Sequence, residues 1–126
     1  MARVDKTDSA IGVVRAVLGA DLPTGDVDKV IAVGLNAAAG AVIKGASNSG
    51  IVGVMIPHPQ LLKAGSRVDI FKIADIVECA GLKPGTTYFA DNATGGLVES
   101  VAGAAPAGAT RRVGHTVEAD RLIITL

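Results

Sequence analysis

The side chains suited to general-base, nucleophilic or metal-ligating work near neutral pH are few: His58, His115 and Cys79. They lie far apart in the chain with no paired ligand spacing. A single cysteine excludes an internal disulfide and a four-thiolate zinc site. His58 stands between Pro57 and Pro59, the setting of a surface loop. His115 shares strand parity with Val113 and Val117, which predicts a half-buried, hydrogen-bonded histidine. No nucleophile elbow or cysteine-protease signature surrounds Cys79 or any serine. The carboxylate pairs Asp26/Asp28 and Glu118/Asp120 fall in expected turns, where aspartate helps the backbone bend. Gly40-Ala41-Val42-Ile43-Lys44-Gly45 has glycine and lysine in the wrong order for a phosphate loop and reads as a hairpin. Gly50-Ile51-Val52-Gly53 precedes no helix, so it is no dinucleotide fingerprint. The chain does not read as an enzyme, and no cofactor or metal is expected. A small hydrolase built around His58 or His115 is the remote alternative.

The elements that must carry these residues are strands. Hydrophobic residues make up 49% of the 126 but aromatics only 2%, so the core must be built from Val, Ile, Leu and Ala. Sixteen glycines, about twice ordinary usage, serve tight turns and bulges. Val30-Ile31-Ala32-Val33-Gly34-Leu35, Ala41–Lys44 and Ile51-Val52-Gly53-Val54-Met55-Ile56 are short apolar runs of buried-strand type. Val68–Phe71 and Ile76–Cys79 are expected to form a hairpin turning near Ala74-Asp75. From Leu82 onward, Lys83-Pro84-Gly85, Asp91–Gly96 and a small-residue loop separate Thr86–Ala90, Leu97–Val101, Arg112–Val117 and Arg121–Leu126. Those runs read as antiparallel hairpins. Gly50–Val54 echoes Arg112–Thr116, each an apolar strand with glycine where a bulge or close approach falls.

The expected fold is mainly β, a small antiparallel β-barrel or β-tulip-like module. Residues 1–22 form an N-terminal arm or first strand, and residues 23–126 a single β domain. Residues 9–22 fit either a short helix capped by Ser9 or extended structure, with Val13, Arg15 and Val17 sharing one face; extended structure is preferred.

Lys+Arg 12 balances Asp+Glu 12 for a net charge of zero, which argues against a nucleic-acid partner, as does the shortage of stacking aromatics. The polar N-terminus followed by a short apolar stretch is neither a secretory signal nor a membrane span, so synthesis in a cytoplasm-like compartment and no membrane partner are expected. Asn92-Ala93-Thr94 is then better read as a turn than as a glycosylation site. A neutral, aliphatic chain has reason to associate with itself.

Ala80-Gly81-Leu82-Lys83-Pro84-Gly85-Thr86-Thr87-Tyr88-Phe89-Ala90-Asp91, followed by Thr94-Gly95-Gly96-Leu97, resembles a segment common in small virion proteins of tailed bacteriophages. The ending Arg112-Val113-Gly114-His115-Thr116-Val117-Glu118-Ala119-Asp120-Arg121-Leu122-Ile123-Ile124 resembles the close of head decoration (capsid cement) proteins, notably of actinobacterial phages. Val30–Asn36 and Lys63–Asp69 follow the same pattern, so the resemblance spans about Lys29 to Leu126. It implies a β-barrel or β-tulip-like protein on the outer face of an expanded icosahedral shell, commonly a trimer, stabilising the shell against packaged DNA. The implied partners are the major capsid protein and further copies of itself, and no catalytic residue carries over. On this reading Arg3, Val4, Asp5, Lys6, Val13 and Arg15 are expected to clamp a capsid subunit. Ile51, Val52, Val54 and Ile56 are expected to form the trimer contact. The Leu-x-Pro-Gly-x-x-Tyr segment also occurs in phage fibre and tail-associated β domains, which makes such a module the alternative. A non-phage β adaptor sharing the turn chemistry ranks below it.

Overall fold

The computed structural model describes residues 14–37, 40–73, 75–79 and 81–126. Among the described residues ten strands run in chain order: β1 (Val14–Val17), β2 (Ile31–Asn36), β3 (Ala41–Lys44), β4 (Ile51–Met55), β5 (Arg67–Ile70), β6 (Ile76–Glu78), β7 (Thr87–Ala90), β8 (Leu97–Glu99), β9 (Arg111–Thr116) and β10 (Arg121–Ile124). They form three antiparallel sheets, ordered β3-β2-β4, β1-β5 and β6-β10-β9-β7-β8. The mainly β expectation holds. Single bridges, Leu18 to Val42, Val54 to Phe71 and Ile31 to Gly96, sew the sheets together. Among the described residues the sheets do not merge into one closed barrel, because each of these seams is one residue wide.

The β3-β2-β4 sheet lies between two cores. Ile31 and Val33 of β2, Val42 of β3 and Met55 of β4 face Leu18, Leu22, Val68 and Ile70 beneath the β1-β5 ribbon. Ala32 of β2, with Val54 and Ile51 of β4, faces Val77, Tyr88, Val113, Leu122 and Ile124 on the five-stranded sheet. Burial on both faces explains why β2 and β4 read as continuous apolar runs rather than alternating ones. Each such side chain contributes about 1.5–3 kcal/mol by leaving water. A register shift between Val33 and Gly34 pairs Val33 with Gly53 and Gly34 with Ile51, leaving Val52 over. That bulge puts Ile51 and Val54, three residues apart, on the same face. A second shift pairs Tyr88 with Gly114 and Phe89 with Arg112, leaving Val113 over. The echo between Gly50–Val54 and Arg112–Thr116 is thus a repeated bulge, in each case on the valine just before a glycine.

The expected hairpin of Val68–Phe71 and Ile76–Cys79 does not form. β5 pairs with β1, and β6 pairs with β10 on another sheet. No Gly-rich turn joins the two runs, and Asp75 is engaged instead: its side chain accepts the Lys72 N–H and its carbonyl accepts the Ile124 N–H. For residues 9–22 the extended reading is what the structure shows from Val14 onward. Leu18 and Leu22 lie in the second core, so residues 14–22 are part of the packed body.

The hairpins of the last third form as expected, β7 with β8 and β9 with β10. Asp91 opens the first turn. Its Oδ1 accepts the N–H groups of Ala93 at 2.8 Å and Thr94 at 3.0 Å, and these bonds, Thr94 foremost, hold its carboxyl below the ordinary carboxylate range. The Lys83-Pro84-Gly85 turn is clamped from below. The Lys83 N–H donates to the Tyr88 hydroxyl at 2.8 Å, and the buried Thr116 hydroxyl donates to the Lys83 carbonyl at 2.5 Å. The spacing of Pro84-Gly85 and Tyr88 therefore has a physical reason: the tyrosine ring enters the core and its hydroxyl ties down the turn that precedes it.

The halves meet at Gly95, whose φ is +74°. Its carbonyl accepts the Ala32 N–H, and the Ala32 carbonyl accepts the Gly45 N–H. A Cβ on Gly95 would lie 2.1 Å from the Ala32 oxygen. At Gly96 the nearest atom would be the Thr94 hydroxyl at 3.5 Å. Gly95→Ala is therefore expected to lower stability by about 2 kcal/mol or more, and Gly96→Ala by less than about 1 kcal/mol. Urea titration of the two variants checks this; equal losses would mean the junction does not depend on close backbone approach.

Candidate functional site

The residues suited to catalysis are dispersed. His58 is exposed on the loop after β4, and its Nδ1 accepts the Gln60 N–H at 3.1 Å, bracing that loop. His115 is exposed rather than half-buried. The bulge at Val113 is the reason: it turns Val113 inward beside Thr116 and sends His115 to the outer face, opposite Ile123 and Thr87. Cys79 follows β6 and is half-buried; burial first, and the Asp120 carboxylate second, push its thiol pKa up. Asp26 is held by Lys44 Nζ at 2.7 Å instead of pairing with Asp28, and Glu118 and Asp120 are exposed at the β9–β10 turn. Among the described residues, no group of three or more His, Cys, Asp or Glu is placed to hold a metal ion. None of their helices is long and apolar enough to cross a membrane.

The residues expected to form the trimer contact lie on β4 and just after it. Ile51 is 6% exposed and Val54 0%, both in the protomer's own core, and Ile56 packs against that core. The bulged Val52 is 40% exposed. Of the expected partner-binding residues, Arg3, Val4, Asp5, Lys6 and Val13 lie outside the described residues. Arg15 is on β1, exposed, with its Nε donating to Asp69 Oδ1 at 3.0 Å. The β1 segment is paired along one edge with β5.

What the structure brings together is a groove of about 400 Å³ over the outer face of the β1-β5 ribbon. Arg15, Arg67 and Asp69 line it from the ribbon, and Ile56, His58 and Leu61 from the segment after β4. Phe71 and the buried Val68 complete its lining. Of these, sequence reasoning singled out Arg15 for partner binding, His58 as a candidate base or ligand and Ile56 for the trimer contact. The signal for Arg67 and Asp69 was the alternation Arg67-Val68-Asp69-Ile70, which puts both on one face. Elsewhere, Ile73, Ile76 and Val117 are each about 60–70% exposed, and the last two line a shallow hollow with Ile123, Glu118 and Arg121 at the β6 edge of the five-stranded sheet. The first surface is rich in charge and the second mainly aliphatic.

No known protein family and no curated protein matches the chain. The fold is nevertheless one already seen, in a protein of phage origin. A solved chain from Mycobacterium phage Patience superposes with a TM-score of 0.68, covering 91% of this chain and 91% of its own length at 19% identity. At this identity what the similarity shows is the shared fold.

A raised thiol pKa leaves less of Cys79 as the reactive thiolate. Its alkylation by iodoacetamide at pH 8 is expected to run more slowly in the folded protein than in the urea-unfolded chain. The folded rate should go on climbing with pH beyond the point at which the unfolded chain's rate levels off. Equal rates would restore a reactive thiol and with it the hydrolase alternative.

Proposed function

We propose that this chain is a structural virion protein that binds the outer surface of an expanded icosahedral capsid and stabilises it against the pressure of packaged DNA. The observation that carries the reading is the fold shared with a phage chain over 91% of both lengths. The decoration-protein resemblance of Lys29 to Leu126 runs through the same elements, β2, β5 and β7–β10. The dispersal of the histidines, the thiol and the carboxylates supports a binding role over catalysis.

The mechanism is thermodynamic. A protein that binds the expanded shell and not its precursor stabilises the expanded state by mass action. Many copies on a symmetric lattice convert weak single contacts into firm retention. Packaged DNA must then break the added contacts before the shell fails. In the same reading the chain acts as a homotrimer, assembled in solution or on the shell. Its self-contact uses the aliphatic edge at Ile73, Ile76 and Val117, since β4 is occupied by the core. The major capsid protein is the partner, and the chain has no role for nucleic acid, membrane or cofactor.

The test is co-sedimentation of the purified chain with undecorated shells of its cognate phage, unexpanded and expanded. Saturable binding to expanded shells alone is expected, with a higher disruption temperature and copies grouped in threes in the reconstructed image. A chain lacking residues 1–12 keeps every contact described above and is expected to stay folded while binding less, if those residues clamp the shell. Absence of binding to either shell by the full chain would overturn the proposal in favour of a fibre or tail-associated module.

A further inference from the structure

The outer face of the β1-β5 ribbon carries more positive charge than it neutralises internally. Register places Arg15 opposite Asp69 and Val17 opposite Arg67, so Arg15 and Arg67 are diagonal neighbours, roughly 7–8 Å apart at the backbone. Asp69 is engaged by Arg15, while Arg67 has no carboxylate partner among the described residues. The Arg15–Asp69 pair is well exposed, with side-chain exposures of 73% and 47%, and such pairs add little to stability. Apolar side chains lie beside the guanidinium groups. Ile56 and Phe71 are half-buried and packed against the main core, which fixes their positions. Leu61 forms one wall, 39% exposed.

We propose that this groove docks an extended segment of a partner protein in which a carboxylate side chain neighbours an aliphatic one. The carboxylate is taken by the free fork of Arg67, with Arg15 shared between it and Asp69, and the aliphatic side chain lies on Phe71 and Ile56. A guanidinium is planar and offers paired N–H donors that match a carboxylate, which is why arginine suits this task better than lysine. Asp69 between the arginines works against a phosphate backbone, and the net charge of zero does likewise. The lining sets apolar Ile56, Leu61 and Phe71 beside the two arginines, a combination that fits a segment carrying both kinds of side chain. The inference rests on the binding-module reading, under which the segment belongs to the shell subunit.

Two measurements separate the groove from that reading. In the first, the isotope-labelled chain is titrated by NMR with an end-capped pentapeptide, Val-Glu-Leu-Glu-Val, and with its amide counterpart, Val-Gln-Leu-Gln-Val. Shifts are expected at residues 15, 56–61 and 67–71 with the acidic peptide, weakened roughly 10–100-fold by Arg67→Gln and by the amide peptide. In the second, Arg67→Glu, Arg67→Lys and the control Arg111→Gln, exposed on β9 and lining neither surface, are compared with the parent chain for binding to expanded shells in low and high salt. Arg67→Glu is expected to lose binding, Arg67→Lys to retain part of it, and Arg111→Gln to match the parent. Matching thermal melts are expected, since Arg67 has no carboxylate partner among the described residues. Equal response to both peptides, or shifts elsewhere, would overturn the groove as an acidic-segment site. So would shell binding unchanged in Arg67→Glu. If the parent chain binds no shell while the acidic peptide still binds in the groove, the capsid reading fails and the groove stands.

Discussion

Strands β2 and β4 are buried on both faces, and the placement of the other elements follows from that. A sheet with one buried face needs one cover; this one needs two, and it gets the β1-β5 ribbon on one side and the five-stranded sheet on the other. The side chains in these two cores are mostly Val, Ile, Leu and Ala, with Tyr88 the one aromatic in their fully buried part. Aliphatic side chains of similar length let the layers approach closely and evenly, and they leave little room for error in register. The two bulges meet that demand. Each lets a strand place residues three apart on one face, Ile51 with Val54 and Val113 with Thr116, where strict alternation would have exposed one of them.

Close layers also bring backbone against backbone. At the seam between the halves, the Ala32 amide donates to Gly95 and the Ala32 carbonyl accepts from Gly45, so one residue of the central strand is hydrogen-bonded to two loops at once. On the other side the seams are bridges one residue wide, at Leu18 with Val42 and at Val54 with Phe71. These satisfy edge groups that would otherwise be buried unpaired. They also explain why a barrel is approached and not closed. The strands come near enough to bridge, but the covering ribbon is too short to carry a continuous ladder around.

The parts of this fold that the sequence makes legible are those where local signals decide. Turns written in Pro84-Gly85, Asp91 and Gly95-Gly96 delimit β7 and β8, and the β9–β10 hairpin follows the polar break at Glu118–Asp120. The buried-strand character of β2 and β4 shows in their unbroken apolar runs. Partner choice was not legible for β5 and β6, because both are short and β-rich and nothing local says that one belongs to β1 and the other to β10. The face of His115 was missed for a related reason: a bulge reverses parity, and Gly114 marks where it falls without saying which valine is extra. Nothing local says what covers Ile51 and Val54, because the second covering sheet comes much later in the chain. The groove was half visible, in Arg15 and in the Arg67-x-Asp69 alternation, but nothing in the chain says that residues 15, 58 and 67 converge.

The cores consume both faces of the central sheet, so any partner must be met by the outer layers. Those layers differ. The ribbon's outer face is charged, with Arg67 unspent beside the Arg15–Asp69 pair, whereas the five-stranded sheet ends at β6 in exposed isoleucine and valine. Two chemically distinct surfaces on opposite covering layers suit a protein that touches two different neighbours better than one that closes around a single ligand. Under the proposed role the charged groove would select the shell subunit and the aliphatic edge would meet another copy. The charged contact weakens as salt rises, while the aliphatic contact is far less sensitive to it. An assembly held by both would lose its grip on the shell in high salt before it lost its association with itself, an order that a protein relying on one kind of surface would not show.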